Sequence, residues 1–355
     1  MSSQTRQPGR GRAAPTMQDV ATSAGVSTKT VSRVINREPG VHPDTVATVS
    51  AAIGALGYRR NDAARNLRKG IATDTVGLLI EDLANPFYAQ LASAVEQVSY
   101  RNGHAVVVMS SGEDPVRERE LVADLLRRGV NGLVIVPAGQ DHRYLANGHE
   151  PRAPVVFLDR PPMGVEADSV VMDDVAGGRR ATQHLLSHGH RRIGYVGDAL
   201  SVTTSAARLQ GYREAHKDVG LEVDEALVRL NPARVNASEA STRRLLSLPL
   251  PPTAILAQNN RNCIGVLRAL RGGPPIALIG FDDIELADML PVPLTVVASD
   301  PGEMGRSGAE LLFARMAGDS RPPQRIVIPT RVVARGSGEI PPPATERQRA
   351  PRTGR

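Results

Sequence analysis

Residues 16–36 read TMQDVATSAGVSTKTVSRVIN, and the character of the chain turns on this stretch. Thr16 is a hydroxyl N-cap with Asp19 three residues on, and Val20, Ala21 and Ala24 supply the small apolar face of a first helix. Gly25 is placed to end that helix in a sharp turn, and Val26 follows as a buried plug. Ser27 then caps a second helix, Thr28–Asn36, on which Val31, Val34 and Ile35 share one face. Two short helices joined by a tight turn make a helix-turn-helix. The outward residues Thr28, Lys29, Ser32, Arg33 and Asn36 carry groups that hydrogen-bond base edges and phosphates. A solvated polar face on a small helical bundle would present the same pattern, so the flanking sequence has to decide.

Downstream, a third helix is expected from about Pro43 to Ala55 with Val46, Val49, Ala52, Ile53 and Leu56 as its core stripe, closed by Gly57-Tyr58. Next comes Asn61-Asp62-Ala63-Ala64-Arg65-Asn66-Leu67-Arg68-Lys69-Gly70, capped for about two helical turns and too short to be stable alone in water. An apolar Leu67 among Arg65, Arg68 and Lys69 has the composition of a minor-groove wedge, or of a linker whose leucine packs on the body. Charge favours the nucleic-acid reading: net charge is +7 over residues 1–70, −4 over 71–340 and +3 over 341–355, so a polyanion would be met by the N-terminal unit.

From Val76 onward strands and helices alternate. Val76–Ile80, Ala105–Met109, Leu133–Val136 and Val155–Leu158 read as strands buried on both faces, with Pro86–Arg101 and Pro115–Arg128 as helices opening on proline. The pattern repeats through Asp174–His188, Ile193–Val196, Ala206–Val219, Ala254–Ala257, Asn260–Leu270 and Ile276–Ile279. A last strand, helix and strand follow at Leu294–Ala298, Pro301–Ala317 and Gln324–Ile328, so the chain should cross between two lobes more than once. Ligands of such sheets bind at the carboxyl ends of the strands, and here two sets of ends can face each other across a cleft. Residues 1–15 and 336–355, rich in Gly, Pro and Arg, are expected to be disordered tails.

Several function classes are excluded or disfavoured. The single cysteine, Cys263, leaves no disulfide framework or cysteine metal cluster, and no apolar run is long enough for a signal peptide or a membrane span, so a cytoplasmic protein is expected. Neither a phosphate-loop nor a dinucleotide glycine pattern is present, and no nucleophile stands with a base, which argues against an enzyme and calls for no cofactor. His184, His188 and His190 suggest helix capping more than a metal site. A solute-binding protein of a transporter would share the two lobes but would have no use for residues 16–70.

Residues 16–70 resemble, nearly position by position, the DNA-binding segment of the lactose-repressor/galactose-repressor family, through the strings above and GYRRNDAARNLRKG at 57–70. The resemblance continues through Asp82-Leu83-Ala84-Asn85-Pro86-Phe87-Tyr88, Phe157-Leu158-Asp159, Ala207-Arg208-Leu209-Gln210-Gly211-Tyr212 and Ile279-Gly280-Phe281-Asp282-Asp283. It implies a helix-turn-helix head at 16–60, a hinge at 61–72 and a two-lobed, periplasmic-binding-protein-like α/β sensor at 73–335. The two doubly wound parallel sheets would fall at about 75–172 with 299–318, and about 174–296 with 322–335. It further implies base reading by Thr28, Lys29 and Arg33, other DNA contacts from Thr16, Ser27, Ser32, Asn36, Thr45, Tyr58, Asn61, Ala64 and Arg68, and Leu67 as the wedge. A small-molecule effector, sugar-like by chemistry, would lie between the lobes against Phe87, Tyr88, Asp159, Arg160, Thr204, Arg208, Asn259, Phe281 and Asp282. The expected partners are near-palindromic double-stranded operator DNA and a second copy of the chain, and the expected role is repression. Departures from the family pattern are Arg60, Val46, Val202 and Asn260, and the chain has no tryptophan to stack on a sugar.

Overall fold

A computed structural model describes residues 15–35, 38–58, 74–146, 153–231 and 234–344. The chain divides near residue 71 into two units, a small helical head and a large α/β body.

In the head, α1 (Met17–Ala24) starts at a full capping box: the Thr16 N–H donates to Asp19 Oδ2 at 2.7 Å, and the Asp19 N–H donates back to Thr16 Oγ1 at 3.3 Å. Gly25 ends it at φ 64°, a left-handed conformation glycine adopts without steric cost. Ser27 accepts the Thr30 N–H at 3.1 Å and so opens α2 (Thr28–Ile35). The third helix, α3 (Pro43–Leu56), begins on Pro43 and closes on Gly57 at φ 60°. Val20, Ala21, Val31, Val49 and Ala52 form the core, with Ile53, Leu56 and Tyr58 packed against it. Val46 does not join them: it lies exposed one turn before the stripe begins at Val49.

The body holds two six-stranded sheets of matching construction. The first contains β1 (Thr75–Ile80), β2 (Ala105–Ser110), β3 (Gly132–Ile135), β4 (Val155–Asp159), β5 (Asp168–Met172) and β11 (Arg325–Ile328), in spatial order β11-β5-β4-β3-β1-β2. The second contains β6 (Ile193–Gly197), β7 (Val228–Leu230), β8 (Ala254–Ala257), β9 (Ala277–Phe281), β10 (Thr295–Ala298) and β12 (Arg331–Val333), in order β12-β10-β9-β8-β6-β7. All pairings are parallel except β10 with β12. The crossover helices are α4 (Pro86–Arg101), α5 (Pro115–Arg127), α6 (Asp174–Ser187), α7 (Thr203–Asp218), α8 (Val235–Leu246), α9 (Asn260–Leu270) and α10 (Pro301–Met316). Proline at the first position and an Asn or Asp cap start α4, α5 and α10, because proline lacks only an N–H that no helical carbonyl would have used.

The chain passes between lobes at Asp173, at Ser299-Asp300 and at Pro329-Thr330, between β5 and α6, β10 and α10, and β11 and β12. This corrects the expected boundary, which assigned 322–335 to the second lobe. Strand β11 pairs with β5 of the first sheet, and Ile326 and Ile328 join that lobe's core, so only the short β12 belongs to the second. The helices α6 and α7 cross very closely: a Cβ on Gly211 would lie 2.0 Å from the Val175 carbonyl oxygen, and one on Gly178 would lie 2.2 Å from that of Arg208. Glycine at both positions is what allows the two backbones to touch.

The expected C-terminal tail is also corrected. Residues 336–344 fold back onto the second lobe, where Ser337 Oγ donates to the Leu278 carbonyl at 2.6 Å and accepts the Thr295 N–H at 2.8 Å. Glu339 accepts from Thr295 Oγ1 at 2.8 Å and pairs with His184, while His190 Nε2 donates to the Ile340 carbonyl at 2.8 Å. Composition misleads here because a polar segment with little apolar area is held by hydrogen bonds to a partner more than forty positions away. The terminal residues 345–355 and, but for Pro15, the expected tail at 1–15 lie outside the described residues.

Candidate functional site

On the head, Thr28 and Lys29 are exposed at the start of α2, and Ser32 and Arg33 are half-buried along the same helix. Arg33 is tethered at its far end: Nη2 donates to the Pro39 carbonyl at 2.8 Å, and Nε lies 3.6 Å from Glu38. Thr16 and Ser27 are exposed and spend their hydroxyls on capping, Thr45 is half-buried in the first turn of α3, and Tyr58 packs on the head core. Asn36, Asn61, Ala64, Leu67 and Arg68 lie outside the described residues.

In the body, the carboxyl ends of strands from both sheets meet across a cleft. Asp159 ends β4 and Asp282 follows β9, the third strand in each spatial order, and the two backbones share φ values of 67° and 62°. A non-glycine residue in this region carries strain of about 1–3 kcal/mol, least for Asp and Asn, and such strain gathers at binding sites. Glu81 and Asp198 form a second matched pair, directly after β1 and β6. Two buried arginines stand among these acids. Arg160 donates to the Pro137 carbonyl at 2.8 Å and to Glu113, with Glu81 at 3.6 Å. Arg208, from α7, donates to Asp174 Oδ1 at 2.7 Å and to the Gln258 carbonyl at 2.8 Å, and has Asp282 at 3.9 Å.

Burial holds the acids well above their ordinary range, since removing water penalises the ionised form. It lifts Glu81 to about 8, with Glu113 adding to the rise, Asp174 and Asp198 to about 7, and Asp282 to about 6. Asp159 is raised for the same reason, against the pull of Arg160 and Arg208. Tyr88 donates to Asp159 at 3.3 Å and meets Phe87 edge-to-face at 5.1 Å, an aromatic corner on one wall.

Of the expected effector residues, Phe87, Tyr88, Asp159, Arg160, Thr204, Arg208, Asn259 and Asp282 all line the cleft. Phe281 does not: it is fully buried, and its ring lies 3.8 Å beneath the Arg208 guanidinium, so it supports Arg208 from behind. Val202 and Asn260, noted above as departures from the family pattern, also line it, and residues not anticipated as cleft walls are Glu81, Asn85, Met172, Asp198 and Gln258. Glu81, Asp198 and Gln258 each follow a buried strand directly, and a polar residue at that point was the available signal. The lobes are close together. Asn260 Nδ2 donates to Asn85 Oδ1 at 2.7 Å, Gln140 Nε2 to the Ser201 carbonyl at 2.7 Å, and Arg261 pairs with Asp82. The cavity between them is ≈ 30 Å³, room for a water or two, and a second hollow of ≈ 260 Å³ shares Asp159, Met172 and Thr204 as walls.

Among the described residues no group of His, Cys, Asp or Glu is arranged to hold a metal, and no helix is long and apolar enough to cross a membrane. His188 Nδ1 donates to the His184 carbonyl at 2.8 Å at the end of α6, and His190 lies against Thr253 and Ile340, which accounts for the histidine cluster as capping and clamping.

Comparison with known proteins bears on both units. Residues 16–61 match the model of bacterial regulatory proteins of the lacI family, and residues 182–338 match a periplasmic binding protein-like domain. The ribose operon repressor of Escherichia coli (strain K12) is 34% identical over 329 residues, 91% of this chain and 99% of that one. The HTH-type transcriptional regulator CelR of Thermobifida fusca is 34% identical over 340 residues, 92% of this chain and 99% of its own length. The structure of the Lac repressor bound to ONPG in its repressed state is 25% identical, with a TM-score of 0.79, covering 92% of this chain and all of that one. With its helix-turn-helix head and two-lobed body, the chain belongs to the lacI family of bacterial regulatory proteins and is a DNA-binding transcription regulator.

Proposed function

We propose that this protein represses transcription as a cytoplasmic homodimer on a near-palindromic operator, and that a sugar-like effector closed between the lobes of the body sets its hold on DNA. The observation carrying the reading is the pairing of strand-end acids from both lobes, Glu81 with Asp198 and Asp159 with Asp282, around Arg160 and Arg208. Carboxylates and amides fix hydroxyl groups by accepting and donating, and the Phe87–Tyr88 corner offers an apolar face to a sugar ring. Among the relatives, one is named for a ribose operon, and the CelR regulator has been solved as a complex with cellobiose.

On the DNA side, Thr28 and Lys29 at the exposed start of α2 would reach base edges, joined by Arg33 once DNA displaces its Pro39 contact. Thr16, Ser27, Ser32, Asn36, Thr45, Tyr58, Asn61, Ala64 and Arg68 would hold the backbone, and Leu67 would wedge into the central step. A dimer matches this head to a palindrome because two-fold symmetry in the protein demands it in the site. Ligand between the lobes favours the closed body, and its differential affinity for the two states sets how far DNA binding shifts.

The test combines a thermal-shift screen of neutral sugars with gel-shift titration on the chain's own promoter DNA. A ligand at a hundred times its dissociation constant should stabilise by about 2.7 kcal/mol, and the same ligand should change operator affinity tenfold or more, as coupling of ordinary size would do. Stabilisation by no sugar, or by one that leaves operator affinity unchanged, would sink the reading.

A further inference from the structure

The balance of charge in the cleft says what kind of ligand it admits. Glu81, Asp159, Asp198 and Asp282 line the walls, and the only basic side chains among the lining residues are Arg160 and Arg208. Both guanidiniums are already engaged by the protein. Arg208 is shared between Asp174, the Gln258 carbonyl and the Phe281 ring. Arg160 is held by the Pro137 carbonyl, Glu113 and Glu81, with its Nε 3.5 Å from Asp159. Glu113 reaches Arg160 from a backbone at φ 63°, so the chain accepts local strain to lay another carboxylate on that guanidinium.

Anion sites are built the other way round, from open arginine forks, lysines and uncommitted N–H groups at helix starts. At this wall α4 and α9 spend first-turn N–H groups on the caps Asn85 and Asn259. The start of α7 has no side-chain cap, but any group binding there does so among four carboxyls. Two polar atoms of the lining are left over: Asp282 Oδ1 is buried without a hydrogen-bond partner and calls for a donor, and Arg160 Nε, also without one, faces the Asp159 carboxylate at 3.5 Å.

Resting on the sugar-effector reading above, we propose that the cleft selects by charge. It takes a neutral, hydroxyl-rich ligand whose O–H groups donate to Asp282 and its neighbours. It rejects the phosphate ester of the same molecule, and the Glu81–Arg160–Glu113 bridge is the specificity determinant.

Calorimetry on the full chain tests this with matched pairs: D-ribose with D-ribose 5-phosphate, and D-galactose with D-galactose 6-phosphate. At pH 8, above the values to which Asp198 and Asp282 are raised, the parent sugar should bind about a hundredfold more tightly than its ester, the scale of discrimination that a like charge against buried carboxylates imposes. In Glu81→Gln/Glu113→Gln, and less strongly in Glu113→Gln alone, the gap should narrow by at least about tenfold as Arg160 becomes available. An ester that binds the unaltered chain as tightly as its parent, or a gap that the folded variants leave unchanged, overturns the proposal. Should neither parent nor ester bind, the screen of sugars described above decides the sugar reading, and inorganic phosphate decides the charge question. Phosphate should bind the double variant more tightly than the unaltered chain, and Arg160→Gln added to the double variant should abolish that gain. Equal phosphate binding by all three proteins overturns charge selection by this bridge.

Discussion

Replacing Arg208 with Met keeps an unbranched stem over Phe281 and removes the charge that Asp174 and Asp282 face. Both acids are buried, so the variant leaves two carboxyls without their cation in a place where water cannot substitute. Breaking a buried pair from one side costs about 3–5 kcal/mol, which for a body of this size is a fall in melting temperature of about 6–20 °C. The cost depends on pH. Asp174 titrates near 7 and Asp282 near 6, against 3.8 for a solvated aspartate, so the folded state holds protons that the unfolded state has released. Their contribution to stability is therefore fully present below about pH 4 and is lost as pH rises through 6 to 7. Without Arg208 both carboxyls move higher still and are neutral at pH 5.5, so the penalty should be smaller there than at pH 8. Urea unfolding of both proteins followed by circular dichroism at the two pH values measures this. Arg208→Met/Asp174→Asn should recover part of the loss, because the second change removes one of the abandoned charges. A loss under about 1 kcal/mol at pH 8, or one independent of pH, would refute the account of Arg208 as the neutralising centre of the cleft.

Other expectations are simpler to state. Lys29→Ala should cost about 1–3 kcal/mol at one operator position and relax preference there, which selection from a randomised operator library would reveal; unchanged preference removes its base-reading role. Gly211→Ala should destabilise the second lobe by about 1–3 kcal/mol or more, since the added methyl would lie 2.0 Å from the Val175 carbonyl oxygen, and a near-neutral result in thermal unfolding would mean that α6 and α7 separate easily. Asn260→Asp removes the donor to Asn85 across the lobes, so effector affinity measured by calorimetry should fall by about 1–3 kcal/mol with operator binding in the absence of effector retained. An undiminished affinity would show that this bridge does not help hold the lobes together.

Much of the head was legible because its rules are local. Thr16 with Asp19, Gly25, Ser27, and Gly57 act within one helical turn of themselves, and the structure places caps and turns at all of them. The same holds for the proline-led starts of α4 and α5 and for the apolar strands β1, β3 and β4, which are buried on both faces; β2, expected to match them, is the edge strand of its sheet and only half-buried. Local pattern was weaker where little apolar surface marks an element, as in α8 and the short β7, neither of which stood out from the sequence.

Eight of the nine expected effector residues line one cleft, but only the tertiary structure decides what each does there. Phe281 and Asp282 are neighbours in the chain, yet one lies under Arg208 and the other faces the cavity, because a strand end turns successive side chains to opposite sides. Glu81 and Asp198 become partners because β1 and β6 hold equivalent places in two similar sheets, a relation invisible over a separation of more than a hundred residues. Residues 325–328 join the first lobe and 336–344 pack on the second through contacts to distant segments. Sequence alone therefore determined which segments form a DNA-reading head and which residue types end the strands. Tertiary structure determined which of those strand ends meet, since that depends on long-range strand order and on water excluded between two lobes, and neither is a property of any local stretch of the chain.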